Sequence, residues 1–159
     1  MTEPSLLCAL GPILDVFELR KIRYYVGGSL ASSAHGIPRA SIDADLVADL
    51  GGGDVDAFVA ALRHDYYVPE ERIRDAVDRR SSFNVIHLAT TLKIDVFVAK
   101  NREFERRALA RARPEALEGE DGRWVLLASA EDIVLAKLEW YRKGGEVEHG
   151  HRSPERVRG

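Results

Sequence analysis

Cysteine and long apolar runs are what this sequence lacks most clearly. Cys8 is the only cysteine among 159 residues, which excludes an intramolecular disulfide framework and a cysteine-rich metal cluster. It lies between leucines and alanine, as a buried apolar thiol does. No apolar run approaches the roughly 20 residues that a membrane helix needs, and the first five residues form no basic leader. We therefore expect a soluble, cytoplasmic protein.

An excess of charge of one sign is also lacking. Charged residues make up 31% of the chain, but the formal net charge is only -3, so the whole chain has no electrostatic footprint for a nucleic acid. An RNA contact would need a local patch such as the arginines between residues 102 and 113. The alternative is a solvated helix in which these arginines alternate with Glu103 and Glu105.

Length and hydrophobic content predict one domain. The chain is 45% hydrophobic, which suffices for one core at this size. Beyond residue 143 large aliphatic side chains become rare. We therefore predict one domain over residues 1–143 and a polar tail over residues 144–159 that is flexible or docks on a partner.

Hydrophobic periodicity predicts alternating helices and strands. Extended segments are predicted at residues 24–26, 42–50, 66–68, 83–88, 92–99 and 124–127, the fourth and fifth forming an antiparallel hairpin. Helices are predicted at residues 6–21, with a weak point at Gly11 and Pro12, and at residues 29–34, 54–62, 69–79, 104–112 and 131–141.

Three aspartates stand out on the predicted strands. Asp43 and Asp45 are two residues apart, so their side chains leave the same face of a strand about 7 Å apart. They repel each other unless solvated or bridged by a divalent cation such as magnesium. Asp95 lies within an apolar strand and needs a partner there. If the two strands are neighbours, three carboxylates converge as in a two-metal phosphoryl-transfer site. A solvated strand edge is the alternative for an isolated Asp-x-Asp.

A glycine turn precedes the aspartates. Gly27, Gly28 and Ser29 stand between a predicted strand and a predicted helix. Glycines there let backbone N–H groups approach phosphate oxygens, and a helix N-terminus favours anions. Such a turn is common in any loop, so the joint occurrence with the aspartates carries the inference.

Together these motifs resemble the signature of the DNA polymerase beta-like nucleotidyltransferase superfamily. Within that superfamily, residues 28–43 and the helix at residues 131–138 are similar to the AbiEii-like toxins of type IV toxin-antitoxin systems. The resemblance covers residues 24–141.

The resemblance implies an α/β (α+β) fold in which helices flank a mixed β-sheet. It implies that Gly27, Gly28 and Ser29 hold a nucleoside triphosphate, ATP among the candidates, while Asp43 and Asp45 bind Mg²⁺, with two ions expected. Asp95 would complete the metal site and help to deprotonate the attacking hydroxyl. The acceptor would be tRNA, a protein hydroxyl or a small molecule such as an aminoglycoside, and an antitoxin would be a protein partner.

Two basic residues are further candidates for nucleotide binding. Arg39 precedes the aspartate strand and could bind phosphate, or be an ordinary surface arginine. Lys137 could reach the phosphates, or its stem could cover the core. Ser129 and Asp132 are interpreted as a helix cap, and His35 as part of a turn.

The alternative function is a catalytically inactive nucleotide-binding or partner-binding module with the same fold. A plain interaction domain is a third possibility, which would bind no nucleotide. Retention of all three aspartates favours the enzyme.

Overall fold

The computed structural model describes residues 6–27, 44–116 and 123–142. Seven strands in this part of the chain form one mixed sheet in the order β3-β4-β5-β2-β1-β7-β6. The strands are β1 (Tyr24–Gly27), β2 (Ala44–Ala48), β3 (Tyr66–Tyr67), β4 (Ser82–His87), β5 (Lys93–Val98), β6 (Arg113–Ala116) and β7 (Trp124–Leu127). The helices are α1 (Leu6–Leu19), α2 (Val55–Leu62), α3 (Glu70–Arg79), α4 (Glu103–Arg111) and α5 (Ala130–Arg142), with a short 3-10 turn at Gly52–Asp54.

The centre of the sheet combines parallel and antiparallel pairs. β2 runs parallel to β5 and antiparallel to β1, and β1 runs parallel to β7. β4 pairs with β5 as the predicted antiparallel hairpin. The expectation of a mixed sheet with helices is confirmed.

One face of the sheet carries the main core. Alternate residues of β2 and β5 point to this face, because successive side chains of a strand leave opposite sides; Leu46 and Val96 are fully buried there. Phe17 of α1 stacks on Phe58 of α2, which meets Phe83 of β4 edge to face. These ring contacts join two helices to the sheet and leave its opposite face to other elements.

α1 is continuous although it contains Pro12. A proline inside a helix removes one backbone hydrogen bond. Side chains from elsewhere supply donors nearby: the Tyr66 hydroxyl donates to the Ala9 carbonyl, and Arg123 Nη1 donates to the Gly11 carbonyl at 3.2 Å. Near the predicted weak point at Gly11 and Pro12, side chains from distant parts of the sequence therefore donate hydrogen bonds to carbonyl groups of the helix.

Most predicted elements agree with the structure to within one or two residues. β6 was not predicted, since its sequence Arg-Pro-Glu-Ala has no strand periodicity. The predicted helix at residues 29–34, the start of the strand at residues 42–43 and the tail at residues 144–159 lie outside the described residues. Among the helices that are described, none has the length and apolar content to cross a membrane.

Candidate active site

Asp45 and Asp95 lie side by side on neighbouring parallel strands. The register pairs Asp45 of β2 with Asp95 of β5, so their Cα atoms are about 4.8 Å apart across the sheet. Both residues are half-buried and point to the face opposite the main core. Two carboxylates at this spacing repel each other, and a divalent cation between them would remove the repulsion.

The row of residues that contains this pair continues across the sheet. Gly27 of β1 is opposite Asp45, and Asn84 of β4 is opposite Asp95. Lys93 shares the face of Asp95, and its Nζ atom is 3.8 Å from Asp95 Oδ1. Among the described residues, a Cβ atom added to Gly27 would meet only the Tyr25 ring, at 3.6 Å.

A pocket of about 490 Å³ opens on the same face of the sheet, with neither Asp45 nor Asp95 among its lining residues. We call it the central pocket. Its floor consists of Tyr25, Val47 and Phe97, each two residues along its strand from Gly27, Asp45 and Asp95. Phe104 of α4 and Ala136 of α5 line the other side. The central pocket is therefore a partly apolar cavity that begins about 7 Å along the strands from the paired carboxylates.

A charged network lines the rim of the central pocket. Arg102 Nη2 donates to Glu105 Oε1 at 3.0 Å, and Arg102 Nη1 donates to Glu139 Oε1 at 3.3 Å. The second oxygen of Glu105 is buried and has no hydrogen-bond partner among the described residues. A bound molecule with a hydroxyl or N–H group would supply the missing donor.

The Tyr25 hydroxyl on the pocket floor stays protonated well above neutral pH. Burial, followed by the nearby carboxylates of Glu105 and Asp132, raises the pKa of Tyr25 from 10.0 to about 12. The hydroxyl is therefore a neutral hydrogen-bonding group under physiological conditions.

The described residues contain only part of the predicted site. Asp43, Gly28, Ser29 and Arg39 lie outside them. Asp45 and Asp95 are brought together by the register, and Gly27 ends the strand beside Asp45. No group of three or more His, Cys, Asp and Glu side chains that could hold a metal occurs in the described ranges. The two adjacent carboxylates nevertheless have the oxygen donors that Mg²⁺ prefers.

Lys137 does not line the central pocket. It is exposed on α5, and it is not among the residues that line the pocket, whereas Ala136 and Glu139 of the same helix are. Its predicted contact with phosphate stays a prediction.

The predicted cap of α5 is confirmed. The Asp132 backbone N–H donates to Ser129 Oγ at 3.2 Å, and Ser129 Oγ donates to Asp132 Oδ2 at 2.8 Å. Asp132 is only 3% exposed, and Arg111 Nη1 donates to its other oxygen at 3.2 Å. The Ser129 hydroxyl therefore caps α5, while the buried Asp132 carboxylate holds that hydroxyl and attaches α5 to α4.

Two polar residues beside Asp95 were missed at the level of sequence. Asn84 and Lys93 both occupy the alternate positions of their strands that face away from the core. Their polarity in a hairpin next to Asp95 was the available signal. The pairing that places them beside Asp95 becomes visible only in the sheet.

No protein-family model and no curated protein matches the chain. Solved structures do. A Thermotoga maritima protein assigned to the nucleotidyltransferases is 14% identical, covers 90% of this chain and 89% of its own, and superposes with a TM-score of 0.55. The antibiotic-resistance factor ANT(2'')-Ia in solution is 25% identical over 89% of this chain and 75% of its own, with a TM-score of 0.53.

A third structure, the lincomycin-bound lincosamide antibiotic adenylyltransferase LnuA, is 16% identical over 88% of this chain and 87% of its own, with a TM-score of 0.47. The first two likenesses show that the chain has the nucleotidyltransferase fold, and they support its classification as a transferase. This agrees with the fold that the sequence motifs imply.

Proposed function

We propose that this protein is a Mg²⁺-dependent nucleotidyltransferase, which moves a nucleoside monophosphate from a nucleoside triphosphate to an acceptor hydroxyl. The observation that carries the proposal is the in-register pair of Asp45 and Asp95 on adjacent strands. The nucleotidyltransferase fold of the solved structures at TM-scores of 0.55 and 0.53 supports it.

The residues divide into metal-binding, phosphate-binding and proton-accepting roles. Asp43, Asp45 and Asp95 would hold the metal, which would supply neutralisation of the charge on the phosphate oxygens. Gly27, Gly28 and Ser29, helped by Arg39 and Lys137, bind the triphosphate. Asp95 accepts the proton of the acceptor hydroxyl. The hydroxyl oxygen forms a bond to the α-phosphorus while the bond to the β-phosphate oxygen breaks, and pyrophosphate leaves.

The central pocket gives the reactants space near the carboxylates. Its aromatic floor of Tyr25 and Phe97 suits a flat or apolar group. The buried oxygen of Glu105 that has no described hydrogen-bond partner suits a hydroxyl or N–H donor. A nucleoside and a hydroxylated acceptor both carry groups of these two kinds.

Our finer proposal is an AbiEii-type toxin in which a hydroxyl of tRNA is the acceptor and an antitoxin protein is the partner. Its support is the sequence resemblance at residues 28–43 and 131–138. The arginines of α4 give it little support, because Arg102, Arg107 and Arg111 pair with carboxylates of this chain. A small-molecule acceptor is the competing choice.

The first prediction concerns nucleotide binding. Asp45→Asn and Asp95→Asn each keep the size of the side chain and remove one charge, so each should weaken Mg²⁺-dependent triphosphate binding at least roughly tenfold, about 1.4 kcal/mol. Calorimetric titration of the four nucleoside triphosphates, with and without Mg²⁺, measures this. The matched control is Asp78→Asn, which removes an equal charge from the exposed surface of α3. Equal binding by the wild type and both site variants would refute the site.

Transfer of label distinguishes the enzyme from an inactive module. Wild-type protein is incubated with Mg²⁺, α-labelled triphosphate, and either tRNA or an aminoglycoside. If label is transferred to one acceptor by the wild type and not by Asp95→Asn, the result supports the enzyme and identifies the class of acceptor. Mg²⁺-dependent binding without transfer to any acceptor would support the inactive nucleotide-binding module.

A further inference from the structure

A second pocket lies at the other end of the central strands. It has a volume of about 290 Å³ and is lined by Arg23, Arg80, Lys100 and Arg106, together with the single carboxylate of Asp49. We call it the basic pocket. Four cations and one carboxylate give it a local charge of +3, although the whole chain has a formal net charge of -3. The basic pocket is therefore a locally positive site in a chain whose formal net charge is negative.

The cations come from four separate parts of the chain. Arg23 immediately precedes β1, Arg80 follows α3, Lys100 follows β5, and Arg106 belongs to α4. Arg80 has a left-handed backbone with φ of 50°, which is uncommon for a residue with a side chain. These four residues are far apart in the sequence, so no single run of basic residues predicts that they lie together.

Within the described ranges, Arg80 is the one cation of the basic pocket whose side chain has a partner. Its Nη1 atom donates to the Ala99 carbonyl at 2.8 Å and lies 3.8 Å from Asp49 Oδ1. Arg23, Lys100 and Arg106 make no side-chain hydrogen bond or ion pair with any described residue.

The other arginines of α4 behave differently. Arg107 pairs with Glu103, and Arg111 pairs with Asp132. Arg106, on the same helix, instead faces the basic pocket and its cations. Four cations that converge around the single carboxylate of Asp49 repel each other, and a bound anion would reduce the repulsion.

The basic pocket is separate from the paired carboxylates but connected to them. Asp49 lies four residues beyond Asp45 along β2, which corresponds to about 13 Å. Arg80, Ala99 and Lys100 line both the basic pocket and the central pocket, so the two cavities share a border. A ligand can extend from Asp45 over the aromatic floor to the cations.

We propose that the basic pocket is a phosphate-binding site, and that it holds a phosphate group of the acceptor. Guanidinium groups bind phosphate oxygens through paired, charge-assisted hydrogen bonds. The acceptor's hydroxyl would lie at Asp45 and Asp95, and its phosphate about 13 Å away. Phosphate binding does not depend on the proposed function, whereas the assignment of the phosphate to the acceptor rests on it.

The test of the site uses inorganic phosphate and no Mg²⁺. Phosphate is titrated into the protein at low ionic strength, and the backbone and arginine side-chain signals are followed by NMR. Arg23→Gln combined with Arg106→Gln should weaken binding at least roughly tenfold. Arg63→Gln combined with Arg72→Gln is the matched control, because it removes the same charge from exposed positions that line neither pocket.

Two results would overturn the phosphate site. One is an equal loss of affinity in both double variants, which indicates only nonspecific attraction. The other is that Asp45→Asn abolishes phosphate binding while the double variant of Arg23 and Arg106 binds phosphate as tightly as the wild type. That result would place the anion at the carboxylates. Because no turnover is measured, either result is independent of whether the protein transfers nucleotides.

The source of the phosphate is decided by a second titration. A nucleoside 5'-monophosphate should bind more tightly than inorganic phosphate and shift the signals of Tyr25 and Phe97 as well as those of Arg23 and Arg106. Equal affinity of the two ligands would show that the pocket holds the free ion, and would overturn the assignment to an acceptor.

Discussion

Asp95 lies in a central strand, and its charged side chain is nevertheless in contact with solvent. Its neighbours Ile94 and Val96 are fully buried, whereas the Asp95 side chain is 31% exposed. Alternation of the strand accounts for the difference, because Asp95 points to the opposite face. The apolar residues around Asp95 thus face the core, and Asp95 faces the other side of the same sheet.

Tyr25 leads to a prediction about alkaline pH. Its pKa is raised from 10.0 to about 12, chiefly by burial. Below the unfolded value both states keep the proton, and the contribution to stability is complete. Between the two values only the unfolded state loses its proton, so the free energy of unfolding should fall as pH rises, by about 2–3 kcal/mol over the window.

Urea unfolding at about pH 9 and about pH 11.5 measures this effect. Tyr25→Phe should remove a substantial part of the fall. Tyr24 and Tyr66, whose pKa values burial also raises, account for a remainder. Tyr67→Phe is the control, because Tyr67 is 55% exposed. If Tyr25→Phe and wild type lose stability equally, the buried hydroxyl does not cause the pH dependence.

At the scale of elements, α4 and α5 are attached to each other by ion pairs. Arg102 reaches Glu139 at 3.3 Å, and Arg111 reaches Asp132 at 3.2 Å. The side chains of Arg102 and Glu139 are 47% and 31% exposed, whereas those of Arg111 and Asp132 are 41% and 3% exposed, so the second pair is better shielded from water and salt. These contacts hold the two helices that border the central pocket.

The cap of α5 gives a prediction at this scale. Ser129→Ala removes the oxygen that accepts the Asp132 N–H, and it should lower the free energy of unfolding by about 1 kcal/mol. Ser129→Thr keeps a hydroxyl and should retain most of the stability. Chemical denaturation of the three proteins compares them directly. Equal stability of the alanine and threonine variants would show that the hydroxyl does not cap the helix.

At the scale of the whole molecule, charge is separated along the central strands. Two carboxylates lie in one row of the sheet, and the basic pocket lies about 13 Å further along. The formal net charge of -3 conceals this arrangement, because opposite charges cancel in the sum. A long-range field would therefore be weak, while local fields at each site are strong.

Salt should consequently act on binding at the basic pocket more than on folding. Raising the salt concentration from about 20 mM to about 200 mM shortens the screening length below the distance between the two charged sites. The dissociation constant of inorganic phosphate should rise several-fold, as calorimetry would measure. The free energy of unfolding should change little, since the core is apolar. Phosphate affinity that does not change with salt would contradict an electrostatic site.

Much of the fold could be predicted from local pattern. Alternating apolar residues predicted β2 and β5, and helical spacing predicted α2 and α5, because burial of one face imposes those periods. β6 could not be predicted, since Arg113–Ala116 has no such pattern and is a strand only through its pairing with β7. Pro12 was expected to weaken α1, and the contacts that hold the helix there come from distant residues.

The sequence by itself determined that Asp45 and Asp95 each lie on a strand and face away from a core, because the period of two is a local property of the backbone. Only the tertiary structure decided that they are neighbours, since the register of β2 on β5 joins residues 50 positions apart. The same holds for the basic pocket, where Arg23 and Arg106 are brought together by pairing and packing that no local pattern encodes.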